Sequence, residues 1–121
     1  MNLLLSASAF IGLAGVGLGA FGAHGLEGRL TEQGEGWWQT ATLYALVHAA
    51  AALAVSLSGR GGSLFVWSGW SFVVGAVIFS GSLYAMALGA PRWLGAITPI
   101  GGVSFLAGWG LMIVAGLRLG A

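Results

Sequence analysis

Charge falls at only seven of the 121 positions, Glu27, Arg29, Glu32, Glu35, Arg60, Arg92 and Arg118. Four uncharged stretches lie around them, 1–26, 36–59, 61–91 and 93–117, holding 26, 24, 31 and 25 residues. A helix rises about 1.5 Å per residue, so roughly 20 apolar residues cross a hydrocarbon core ~30 Å thick. Each stretch is long enough to cross once and too short to cross twice. In lipid every backbone N–H and C=O must be bonded internally, which leaves helices or a closed barrel. Barrel strands alternate polar and apolar over about ten residues, and these runs do not alternate. The expectation is an all-α integral membrane protein with four transmembrane helices in an up-down antiparallel bundle. It is a single domain over 1–121, with helices at about 3–23, 37–57, 64–88 and 97–117.

Composition supports lipid as the solvent. Hydrophobic residues make up 58% of the chain and charged ones 6%, against about 25% charged in soluble domains. The net charge of +1 and the lack of a basic patch give no reason to expect nucleic acid as a partner. Without Cys there is no disulfide or thiolate chemistry. The spans contain no Asp, Glu, Lys or Arg, which argues against an ion-coupled transporter. Expected partners are the bilayer itself and either a membrane-protein partner or further copies of the chain.

Helix 1 is expected to be retained rather than cleaved as a signal peptide, because Met1-Asn2 carries no basic side chain and the apolar run is too long. The first loop has glycines at 25, 28, 34 and 36, which argue against a long regular helix there and place the start of helix 2 at Trp37. Trp37 and Trp38 then read as an interfacial aromatic belt. Ala90-Pro91-Arg92-Trp93 reads as a short turn, and Thr98-Pro99 as the cap and first turn of helix 4. Arginines divide evenly, Arg60 and Arg118 on the side of the termini, Arg29 and Arg92 on the other. The terminal amine and the net-acidic first loop favour cytoplasmic termini.

The 23 glycines are explained by close packing, since small residues let helix backbones approach in a membrane. Gly12, Gly15, Gly19 and Gly22 form a stripe on helix 1, Gly75 lies on a small face of helix 3, and Gly101 and Gly108 on one of helix 4. The helix 1 stripe would also serve self-association.

Two histidines stand out. His48 lies about 11 residues into helix 2, near the midplane, where an ionisable side chain suggests function. Tyr44, one turn earlier, is placed to hydrogen-bond it. His24 ends helix 1 near an interface. Their difference in depth, about 15 Å at 1.5 Å per residue, argues against joint ligation of a metal or haem. No metal or other cofactor is expected, and no catalytic residue is assigned.

Four motifs follow in order: Gly19-Ala20-Phe21-Gly22-Ala23-His24-Gly25-Leu26; Trp38-Gln39-Thr40-Ala41 with Tyr44 and His48-Ala49; Phe79-Ser80-Gly81-Ser82-Leu83-Tyr84; and Ile97-Thr98-Pro99-Ile100-Gly101-Gly102 with Phe105, Gly108 and Trp109. Over nearly the whole chain this resembles the YwdK-like family of small bacterial membrane proteins, relatives of eukaryotic transmembrane protein 256 and a domain of unknown function. The resemblance implies a four-helix protein of the bacterial cytoplasmic (inner) membrane. It marks His24, His48, Ser80, Ser82, Tyr84 and Thr98 as motif positions and supplies no activity. With Tyr44 these are the candidate ligand-binding residues. The leading functional expectation is a non-enzymatic accessory or assembly partner of a membrane complex. The alternatives are a binder of a lipid, quinone or other apolar ligand near His48, and a histidine-dependent membrane enzyme or proton relay.

Overall fold

A computed structural model of the chain describes residues 1–60 and 62–119. Four helices long and apolar enough to cross a membrane carry the fold. They are α1 (Leu3–His24), α2 (Glu32–Leu57), α3 (Ser63–Ala87) and α4 (Thr98–Leu119), with a short 3₁₀ helix, Arg92–Ala96, leading into α4. Among the described residues there is no strand.

α2 starts at Glu32 rather than Trp37, and the cause is its cap. The Thr31 hydroxyl accepts the Gly34 N–H at 2.9 Å, satisfying one of the four free donors that open a helix. Glu32 and Glu35 in the first turn sit favourably at the positive end of the helix dipole. Cap and dipole together outweigh the propensity cost of Gly34 and Gly36. Farther on, α3 ends in a wrapped turn, with the Ala90 N–H reaching the Ala85 carbonyl at 2.9 Å. Gly89 makes this wrap by taking φ 104°, a backbone region costly for other residues. The chain then winds through Arg92–Ala96 as a 3₁₀ helix where a plain turn was expected.

Successive helices run antiparallel, and small residues mark each seam. Along α1 and α2, Gly22 faces Trp38, Gly19 faces Thr42, Gly15 faces Ala45 and Leu46, and Gly12 faces Ala49. The α1 stripe thus packs against α2. Along α3 and α4, Gly101 faces Phe79, Gly75 faces Phe105, and Gly108 faces Phe72. α3 is central: it packs on α2 and α4 along their lengths and touches α1, where Leu4 fills the space beside Gly69. Large aliphatic and aromatic side chains such as Phe10, Leu13, Leu106 and Leu117 point outward. That surface is natural against lipid tails and untenable in water.

Candidate functional site

The ionisable side chain among the buried polar groups is His48, which is 5% exposed. It stands about 24 Å along α2 at 1.5 Å per residue, past the helix centre because α2 begins early. Its ring stacks on Phe105 of α4, centroids 3.6 Å apart and planes 13° from parallel. Phe72 of α3 and Trp109 of α4 close the sides at 5.6 and 5.9 Å. Both ring nitrogens are engaged. Nδ1 lies 2.8 Å from the Tyr44 carbonyl, and Nε2 lies 3.1 Å from Trp109 Nε1. An indole N–H can only donate and a carbonyl can only accept. Nε2 is therefore the acceptor and Nδ1 carries the proton, so the geometry fits one neutral tautomer. Tyr44 thus makes the hydrogen bond to His48 that its position one turn earlier suggested. Tyr44 supplies its main-chain carbonyl, and its ring lies nearly parallel to the imidazole at 5.9 Å.

The other motif hydroxyls tie helices together. Ser80, buried on α3, donates to the Ala41 carbonyl of α2 at 2.7 Å. The Tyr84 hydroxyl meets Thr42 of α2 at 2.6 Å. Ser82 and Thr98 join α3 to α4 at 2.5 Å. Ser82 also donates to the Phe79 carbonyl at 2.9 Å, whereas the Leu94 carbonyl is a distant 3.3 Å from Thr98. Each hydroxyl has one proton, so the chain runs from Thr98 to Ser82 to Phe79. Thr98 thus acts as a donor across helices and is the first residue of α4, not its capping acceptor. Two further bonds cross the α3–α4 seam, Ser68 to the Gly108 carbonyl at 2.8 Å and Ser104 to the Ser71 carbonyl at 2.7 Å. Among the described residues no buried side-chain polar atom lacks a partner.

Trp38 corrects the belt expectation. It is 4% exposed, packed edge-on to Tyr84 at 4.5 Å, and donates Nε1–H to the Leu18 carbonyl of α1 at 2.8 Å. Gly22 makes this fit, because a Cβ there would stand 2.2 Å from Nε1. Trp37 does remain at the rim, with the Arg92 guanidinium 6.0 Å from its ring centroid. Trp38→Phe removes a cross-helix bond and part of a buried ring, so it should lower stability by more than the ~1 kcal/mol of the bond alone. Thermal unfolding in detergent checks this, with the exposed Trp67→Phe expected to be unchanged.

His24 lies exposed in the last turn of α1, far from the aromatic cluster that holds His48. Among the described residues no three His, Cys, Asp or Glu side chains converge as metal ligands. Grooves open elsewhere on the surface, one of about 500 Å³ between α1 and α2 and one of about 360 Å³ between α2, α3 and the entry to α4. His48 lines neither. The partner that sequence reasoning missed is Trp109. A tryptophan so far inside a span needs an acceptor for its N–H, and His48 is the deep side chain able to offer one.

Comparison with known proteins places the chain among membrane proteins. The family described as "Protein of unknown function (DUF423)" matches residues 18–102. The chain is 44% identical over 119 residues to a UPF0382 membrane protein of Staphylococcus epidermidis, covering 98% of each. It is 45% identical over 120 residues to the UPF0382 inner membrane protein YgdD of Escherichia coli K12, covering 98% of this chain and 92% of that one. No solved structure matches.

Proposed function

The chain belongs to the DUF423/UPF0382 family of membrane proteins, and we propose that it serves as a non-enzymatic accessory or assembly partner of a membrane complex. The observation that carries this reading is the closure of His48. Both of its nitrogens are bonded inside the bundle and its ring is enclosed by Phe72, Phe105 and Trp109. A proton relay or reactive centre needs a free nitrogen and a path to it. A ligand pocket needs space next to the polar group, and the cavity of about 270 Å³ on the far side of Phe72 and Trp109 is not lined by His48. The hydroxyls of Ser68, Ser80 and Tyr84 are engaged between helices in the same way. The outer surface is left to meet other membrane components, with the aliphatic ridge of α4, Ile100, Val103, Leu106, Ile113 and Leu117, prominent on it.

The Escherichia coli relative is named for the inner membrane, and the same location is proposed here. The likeness of the Gly19–Leu26, Phe79–Tyr84 and Ile97–Gly102 segments to YwdK-like proteins and to transmembrane protein 256 belongs to the same proposal. The test is purification of the tagged chain from its native membrane in mild detergent after in-membrane crosslinking. One membrane protein should be recovered with it in near-stoichiometric amount. Recovery of the chain alone, crosslinked only to lipid, would end this reading.

A further inference from the structure

Two grooves open at the membrane face that carries the first loop, and they differ in charge. The α1–α2 groove has Glu27 and Glu35 in its walls. The other runs from the first turns of α2 to the end of α3 and the entry of α4, and its charged wall residue is Arg92. Neither Glu32 nor Glu35 lines it. Phe79, Leu83, Met86 and Pro99 make its floor apolar.

Arg92 is exposed, yet it is held in place. It donates Nη2–H to Gln33 Oε1 at 2.6 Å and lies over Trp37, 6.0 Å from the ring centroid. A guanidinium has five N–H donors, so most remain for an incoming oxyanion. Trp37 and the exposed Trp93 flank it at the depth of the aromatic belt, the level at which lipid headgroups begin. The N-terminus of α4, with no acidic residue in its first turn, opens toward the same end and adds positive potential.

We infer that this groove seats one anionic phospholipid of the surrounding bilayer, with its phosphate on Arg92 and an acyl chain along Phe79, Leu83 and Met86. Charge complementarity selects the headgroup, and the apolar floor selects a lipid over a soluble anion.

Native mass spectrometry of the full chain in detergent, with phosphatidylglycerol or phosphatidylcholine added, tests the inference. Wild type should retain one phosphatidylglycerol in preference to phosphatidylcholine. Arg92→Ala should weaken that retention roughly tenfold, the value of one charge-assisted contact. Arg92→Lys should retain an intermediate level, because the charge stays and the fork is lost. Gly95→Leu should also weaken retention: it fills the groove beside Met86, whose sulfur stands 3.8 Å from a Cβ at that position. Arg29→Ala removes the same charge at the same face, away from this groove, and should change nothing. Equal losses in Arg92→Ala and Arg29→Ala would overturn the inference, as would equal retention of both lipids. Displacement of the lipid by inorganic phosphate, or an unaffected Gly95→Leu, would do so too. Circular dichroism confirms folding of each variant. If Arg92→Ala does not fold, Arg92→Lys and Gly95→Leu decide the matter.

Discussion

Gly101→Ala should break the seam between α3 and α4. A Cβ at Gly101 would stand 2.4 Å from the Phe79 main-chain nitrogen, 2.7 Å from its Cβ and 2.8 Å from its Cα. Two of these atoms are backbone, so no rotamer change relieves the contact and the helices themselves must part. Parting them stretches the three cross-helix bonds from Ser68, Ser104 and Thr98. It also lifts Phe105 away from His48. Overpacking costs about 1–3 kcal/mol where side chains can adjust. With rigid backbone opposite, the loss should lie at or above ~3 kcal/mol and show as aggregation or a collapse of the melting temperature in detergent. Gly102→Ala and Gly110→Ala are the controls, since a Cβ at either meets nothing within 4 Å. Alanine is the better helix former by up to ~1 kcal/mol, so these should hold or gain stability. A Gly101→Ala protein as stable as its controls would show that the close approach is not real.

His48→Ala is the second large effect. It empties a buried site, loses the Phe105 stack and leaves the Trp109 N–H without its acceptor. Truncating large core side chains costs about 2–5 kcal/mol, and a loss of ~3 kcal/mol is expected here. Trp109→Phe removes the donor and part of the ring packed on Phe72, and should cost at least the ~0.6–1.7 kcal/mol of an interhelical hydrogen bond in a membrane. The double variant should lose less than the sum of the two, because the shared bond can be broken only once. Additive losses would show that the bond contributes nothing. Nitrogen NMR of the labelled imidazole should find the proton on Nδ1. If His48→Ala left folding and stability intact, the fastening role assigned to this side chain would fail, and a reactive role would become the stronger reading.

The spans were legible because an absence is easy to read: long uncharged runs admit few alternatives in lipid. Small faces were legible too, since their spacing follows the helix period. Partners were not. Periodicity says that Gly22 lies on a small face but not that Trp38 turns inward to meet it, and a tryptophan near a span end reads by default as belt. His48 and Trp109 are 61 residues apart, and nothing local links them. Thr31 was the one local signal that could have been weighed more heavily. It precedes two acidic residues in a first turn, a pattern that opens helices even where glycines follow. Tyr44 was matched to His48 by spacing, yet spacing alone cannot distinguish a hydroxyl from a carbonyl as the group that is met.

Every helix after the first packs along its length on the one made just before it. A chain with that topology can consolidate while it is still being synthesised, each new span docking on a finished neighbour as it leaves the insertion machinery. One vacancy persists until late in this order. His48 Nε2 is inserted with the second span, and the indole that satisfies it arrives only with the fourth. Docking of that last span is then the step that completes the interior, supplying the donor for His48 and, in the Gly108 carbonyl, the acceptor for buried Ser68.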